Sequence, residues 1–500
     1  MLLIVYLLST RSSALGKSVE KPNIILILAD DLGYADVGCY GQKLIETPQI
    51  DALASEGIVF RQAYSSASEC SPSRCSLLTG MHTGHTYIRG NDEMACRGDV
   101  WDYKKTAENI NLEGQLPIPA KTITIGKILQ KYGYVTGCFG KWGLGAPNTE
   151  GAPNKQGFDY FYGYNCHRQA HSYFPNHLWR NDSVVHLNNQ VIMTNSKLSD
   201  GADIYDERNY EKYYQKEYSP DLILNECLKF IENNASNRFF TFFSTTLPHG
   251  AFQAPPDLVK KYVSKLGDEE PVRESFYYPC RYLHATYAAM VTYLDSQIGA
   301  VISKLKELGI YENTLIIITS DNGPSSEISA YFQSAGPFLS TKDRVKFSLY
   351  EGGIRVPLIA VWGGHIKKHR ESQLPVVLYD LFPTFCELAG IPVPEGSDGV
   401  SFTTELSCKT KKVEPRFLYW ESQAFGGQQA ARYGNWKALR QNINTQSNLT
   451  ISLYDLDHDI QELNDVSSSN PHVVKKMEEF MKNAHRKPQV GSFRLIPFDN

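Results

Sequence analysis

Four short apolar runs constrain this chain more than any other feature: Asn23–Ala29, Phe239–Ser244, Thr314–Ser320 and Val356–Trp362. They are rich in β-branched or aromatic residues and show no polar alternation. A strand with one wet face alternates, whereas a strand buried on both faces does not. The runs therefore predict a sheet covered by helices on both sides. Ser219 and Pro220 read as a helix start ahead of Leu222, Ile223, Cys227, Phe230 and Ile231, which recur on one face. A second helix is predicted from Ala285 to Leu308, stopped by Gly309 and leading into the run at Thr314. Alternating helix and buried strand predicts an α/β fold with a large, mostly parallel central sheet.

Ligands of such sheets gather beyond the carboxyl ends of the strands. Asp30 and Asp31 follow the first run, His249 the second, and Asp321 and Asn322 the third. One Asp or Asn after a strand is ordinary turn chemistry. Five polar groups from three distant segments on one rim make a site. An oxygen-rich set of this kind suits a hard cation such as Ca²⁺ or Mg²⁺, and the absence of nearby paired Cys or His argues against zinc. Crowded carboxylates also need a cation to offset their repulsion. Lys141 and Lys346 are expected near the same rim, where cations suit an anionic substrate. That combination points to cleavage of a phosphate or sulfate ester.

The remaining composition is that of an ordinary globular protein, 42% hydrophobic and 21% charged over 500 residues. Lys and Arg number 50 against 54 Asp and Glu, with no clustered basic charge, which excludes a nucleic-acid footprint. After Pro392 the pattern changes to a loop at Glu395–Gly399, short strands at Phe417–Trp420, Trp436–Leu439 and Ile451–Tyr454, and a helix near Val473–Ala484. These predict a smaller α+β domain over residues 401–500, beside a catalytic domain over residues 17–400. Residues 1–16, with apolar Leu2–Leu8 ahead of small residues around Ala14, resemble a secretory signal peptide. No other run is long enough to span a bilayer. Ten cysteines and sequons at Asn181, Asn234 and Asn448 fit a secreted glycoprotein of lysosome, extracellular space or periplasm.

Cys70 separates the two ester classes. It opens a C-x-P-x-R pattern with Pro72 and Arg74, followed by Leu78, Thr79 and Gly80. This spacing resembles the signature of the type I sulfatase family. Pro22–Gly33, Gly140–Trp142, Pro248–His249, Ser320–Gly323 and Tyr350–Gly353 resemble the same family in order, as do Gly434–Lys437 and Leu453–Leu456 in the second domain. The resemblance implies an alkaline-phosphatase-like fold. It further implies that a formylglycine-generating enzyme oxidises Cys70 to Cα-formylglycine. In that family the hydrated aldehyde, bound to Ca²⁺, attacks the sulfur of the ester, and its second hydroxyl then loses a proton so that sulfate is eliminated. This is covalent catalysis in two easier steps. Carried over residue by residue, Asp30, Asp31, Asp321, Asn322 and residue 70 are Ca²⁺ ligands. Asp321 also helps activate the attacking hydroxyl, Arg74 holds the diol, and Lys141 supports the diol and the sulfate. His249 and Lys346 contact the sulfate and help protonate the leaving oxygen.

One position departs from the pattern. The family reads G-K-W-H-L-G, whereas here Gly143 stands in place of the histidine that takes the proton triggering sulfate release. An active enzyme with a different elimination base is expected. His82 and His85 are conceivable replacements, although loop or helix-end roles suit them as well. His167, Arg168 and His171, together with Trp420 of the second domain, read as walls of a sugar pocket. A sulfated carbohydrate is the expected substrate class, with small aryl sulfates as artificial ones. Two other readings stay open. A phosphatase or phosphonate hydrolase of the wider superfamily would carry Ser or Thr where Cys70 stands. A catalytically impaired binding protein would account for Gly143.

Overall fold

The computed structural model describes residues 21–273, 277–366, 369–407, 414–446 and 448–499; the expected signal segment lies outside them. In chain order the strands are β1 (Asn23–Ala29), β2 (Ile58–Phe60), β3 (Ala63–Tyr64), β4 (Val135–Lys141), β5 (Tyr160–Tyr164), β6 (His177–Arg180), β7 (Ser183–His186), β8 (Phe239–Ser244), β9 (Thr314–Ser320), β10 (Leu358–Trp362), β11 (Arg370–Ser372), β12 (Val376–Val377), β13 (Phe417–Ser422), β14 (Gln428–Tyr433), β15 (Trp436–Arg440) and β16 (Ser452–Asp455). Ten of them form one sheet, in the order β11-β2-β10-β9-β1-β8-β4-β5-β6-β7.

The centre of that sheet is parallel, β9, β1, β8, β4 and β5 running the same way. Every residue of β1, β8 and β9 is buried, as their unalternating sequences require. The pleat of β1 divides its side chains between two cores. Ile25 and Ile27 pack with Ile223, Leu294 and Ile298 from the helices Ser219–Asn233 and Leu283–Glu307. Ile24 and Leu26 pack with Leu77, Leu78 and Phe385 on the other face. The run ending at Trp362 is not another parallel strand, because β10 lies antiparallel to β9. Burial on both faces sets the residue pattern, and strand direction leaves no mark on it.

The small domain is an antiparallel sheet, β13-β14-β15-β16, with the helix Pro471–Ala484 against it. Met477 and Met481 of that helix pack on Tyr419, Ala431 and Ala438. Phe402 and Leu406 belong instead to the core of the large domain, where the Phe402 ring lies 5.4 Å from that of Phe60. The nine described cysteines are free, so the described residues draw no stability from cross-links. Among the described residues no helix is long and apolar enough to cross a membrane.

The two domains share a buried ionic network. Lys437 of β15 places its Nζ 2.9 Å from Glu351 Oε1 and 2.8 Å from Glu462 Oε1. Arg355 Nε lies 2.8 Å from Glu351 Oε2, to which the Tyr64 hydroxyl donates at 2.9 Å. Burial pushes the Glu351 carboxyl up, but Lys437, Arg355 and Arg432 outweigh it and hold the group at about 2. Breaking a buried pair strands a charge. Lys437→Met should therefore lower stability by about 3–5 kcal/mol, measured by urea unfolding. A loss well below that range would show that the network does not hold the domains.

Candidate active site

Four adjacent parallel strands bring their carboxyl ends to one rim. β1 runs into Asp30 and Asp31, β9 into Asp321 and Asn322, β4 ends on Lys141, and the segment after β8 carries His249. Asp31 adopts a left-handed conformation, φ 63°, which aspartate tolerates better than most residues. The turn lets its backbone N–H donate to Asp321 Oδ1 at 3.2 Å. Above the rim the helix Cys70–Thr79 is buried along its whole length. Its first residue is Cys70, and Arg74, four positions on, lies on the same face. Lys346 arrives from the loop that precedes the short helix Glu351–Ile354.

Each buried carboxylate has its own cation. Lys141 Nζ lies 2.6 Å from Asp30 Oδ2. Lys346 Nζ lies 2.7 and 2.8 Å from the two oxygens of Asp31. Arg74 donates to Asp321 Oδ2 through Nη2 at 2.7 Å and Nε at 3.1 Å. Its Nη1 donates to the Lys141 carbonyl at 2.7 Å and to Ser244 Oγ. His249 donates from Nδ1 to the Gly250 carbonyl and turns Nε2 to within 3.7 Å of Asp31 Oδ2.

Burial raises all three carboxyl groups, and their neighbours decide the outcome. Lys141, His249 and Arg74 overcome burial at Asp30 and hold it well below the usual carboxylate range. At Asp31 burial and the Asp30 charge prevail over Lys346, so the group is raised. Asp321 is pushed up to about 6 by burial and Asp30, against Arg74. Such mutual repulsion favours an added cation. One ligand atom each from Asp30, Asp31, Cys70 and His249 lies within 4.8 Å of the others. Asn322 donates to Asp31 Oδ1 at 2.7 Å, while its own Oδ1 is buried without a hydrogen-bond partner. An orphaned amide oxygen beside carboxylates fits a hard divalent cation.

Cys70 Sγ lies 3.6 Å from Asp30 Oδ1, and burial pushes its thiol far above the ordinary range. A thiol held protonated is a poor nucleophile. Cys70, Lys141, His249 and Lys346 open onto a cavity of about 340 Å³. His167, Arg168 and His171 line it. Asn91, Glu93, Trp101, Tyr277, Glu327 and Phe347 line it too. These come from irregular segments, where no periodicity marks a side chain as facing the site. The His171 ring stacks on His249 at 5.2 Å, and Arg168 lies over Trp101 at 4.7 Å. A larger cavity of about 750 Å³, lined by Tyr210, Tyr213, Tyr214 and Tyr282, contains none of the rim residues.

Trp420 does not reach the cavity. It is wholly buried, packs on Tyr64, and donates from Nε1 to the Ser65 carbonyl at 2.9 Å. The second domain acts on the site indirectly. Gln428 donates to the Phe347 carbonyl at 2.8 Å and accepts from the Leu349 N–H at 3.2 Å, pinning the loop that carries Lys346. His82 and His85 also lie off the cavity, against Asp398 at 3.7 and 2.9 Å.

The Sulfatase family profile matches residues 22–391, and that of the N-sulphoglucosamine sulphohydrolase C-terminal region matches residues 344–487. N-acetylgalactosamine-6-sulfatase of Canis lupus familiaris is 30% identical, over 88% of this chain and 78% of its own. N-acetylgalactosamine-6-O-sulfatase of Bacteroides thetaiotaomicron is 27% identical over 94% of each chain. The crystal structure of Ps i-CgsB in complex with k-i-k-neocarrahexaose superposes with a TM-score of 0.73 at 27% identity, covering 96% of this chain and 97% of that one. With the matched profile extending over most of its length, the chain belongs to the sulfatase family of sulfuric ester hydrolases.

Proposed function

We propose that this protein removes sulfate from a sulfated carbohydrate, using Cys70 converted to Cα-formylglycine and a bound Ca²⁺. The observation that carries the reading is the position of Cys70: buried at the head of its helix, 3.6 Å from Asp30 Oδ1 and on the cavity shared with Lys141, His249 and Lys346. The oxygens of Asp30, Asp31, Asp321 and Asn322 would hold the Ca²⁺ together with residue 70, and the ion would supply positive charge beside the transferring group. Formylglycine would supply an oxygen nucleophile directed at sulfur.

The chain's own groups do the rest. Arg74, anchored on Asp321 and the Lys141 carbonyl, fixes the first turn of the helix and so orients residue 70. Lys141 and Lys346 set positive charge on the cavity wall, where it stabilises an oxyanion. His249 Nε2 faces the same space and is placed to handle the proton of the leaving oxygen. The cavity is at the small end of the about 300–1,000 Å³ typical of ligand pockets, which suits one sugar ring better than a polymer segment. Arg168, His171 and Trp101 provide polar and aromatic contacts for it. The names of the N-acetylgalactosamine-6-sulfatase and the N-acetylgalactosamine-6-O-sulfatase, and the k-i-k-neocarrahexaose in complex with Ps i-CgsB, support a carbohydrate. Maturation would require a formylglycine-generating enzyme on a secretory route to lysosome, periplasm or extracellular space.

Two tests follow. Protein from a host that makes formylglycine should yield a residue-70 peptide with the aldehyde mass and should hydrolyse aryl sulfate but not aryl phosphate. Cys70→Ala should abolish that turnover; a retained thiol in active protein would sink the reading. Ca²⁺ at a hundred times its dissociation constant should stabilise the chelator-treated protein by about 2.7 kcal/mol, seen as a rise in Tm. Asp31→Asn should shrink that rise, and an equal rise in both proteins would place the ion elsewhere.

A further inference from the structure

We infer that His167 is the proton acceptor of this site, presented into the volume that Gly143 leaves open. The inference rests on the sulfatase reading and adds to it the group that frees the product.

The other candidates at the rim are committed. Arg74, Lys141 and Lys346 are each paired with a carboxylate, and His249, whose Nε2 faces the cavity, is assigned to the leaving oxygen. His167 is different. Its ring lines the cavity shared with Cys70, and its contacts are neutral. Nε2 lies 3.0 Å from the hydroxyl of Ser71, the residue next to Cys70. Ser71 Oγ lies 3.0 Å from the Gly143 carbonyl and accepts from Gln115 Nε2 at 3.3 Å, while Gln115 Oε1 accepts from the His167 backbone N–H at 3.0 Å. Gln115 thus holds residue 167 by its backbone and Ser71 holds it by its ring. Ser71 Oγ stands between the imidazole and the Gly143 carbonyl, 3.0 Å from each, and so holds the ring beside residue 70. Burial, with Lys141 and Arg74 nearby, holds the imidazole well below its ordinary range, so the ring stands neutral before the step.

Gly143 explains how the ring comes to be there. Its φ of 76° is left-handed, and a Cβ on it would lie 1.9 Å from His167 Nε2 and 2.5 Å from His167 Cδ2. A side chain at residue 143 and the imidazole of residue 167 compete for one volume. Where the resembling pattern carries a histidine at residue 143, this chain brings an imidazole into the same space from residue 167. In the product-releasing step the imidazole takes the proton of the hydroxyl left on residue 70. The O–H pair becomes the carbonyl bond, the C–O bond to sulfate breaks with its pair on the departing sulfate, and the imidazolium returns its proton to water.

The test compares the wild type with His167→Asn, both carrying formylglycine by peptide mass, on an aryl sulfate. We expect the variant to release about one equivalent of aryl alcohol and then stall, with turnover down 10²- to 10⁴-fold. The residue-70 peptide should then carry the mass of sulfate. Gly143→Ala, which keeps the imidazole but takes its volume, should stall in the same way. Unchanged turnover in His167→Asn overturns the assignment, as does loss of the first equivalent without a sulfated peptide, which would mark a structural or substrate-binding role. Absence of aryl alcohol release from the wild type would instead overturn the sulfatase reading itself, and this inference with it.

Discussion

Three carboxylates buried at the ends of parallel strands repel one another, and the rest of the site follows from how that repulsion is met. Each has one cation: Asp30 with Lys141, Asp31 with Lys346, Asp321 with Arg74. The pairing explains why the Cys70–Thr79 helix is buried throughout, since Arg74 must reach Asp321 from its first turn. It also explains why the reactive position opens that helix. Buried pairs of this kind contribute little net stability but are costly to break, so they hold geometry more than they hold the fold. With charges balanced inside the protein, an added divalent ion leaves net positive charge facing the cavity, the sign a sulfate ester requires.

The second domain supports that arrangement without touching the substrate space. Its Lys437 completes the cluster around Glu351, five residues beyond Lys346. Gln428 pins the intervening loop, and Ser422 Oγ donates to the Glu69 carboxyl beside Cys70 at 3.2 Å. Burial pushes Glu69 up to about 7, against the hydrogen bond from Ser422. Glu69 beside Cys70 and the loop that carries Lys346 thus depend on residues from β13 and β14.

Much of this was legible in the residues alone. Burial on both faces writes itself into β1, β8 and β9, and Asp30, Asp31, Asp321, Asn322, His249, Lys141 and Lys346 meet where a parallel sheet directs them. What stayed hidden has physical reasons. The antiparallel direction of β10 leaves no residue signature. Strand β14, with paired glutamines and alanines, has no apolar alternation because its small side chains fill gaps beside Trp420 and Tyr419. Trp420 looked like a sugar platform, yet an indole satisfied by a backbone carbonyl is equally at home in a core. Trp101 and Glu93 reach the cavity through loop geometry, which local sequence does not encode.

The overlap between residue 143 and the His167 ring bears on how such a chain can change over generations. With the His167 ring where it stands, a Cβ on residue 143 would meet it, so a histidine at both positions requires one ring to move aside. A chain with neither has no imidazole there at all. The two positions are therefore coupled: the side chain that residue 143 carries decides where the ring of residue 167 can stand.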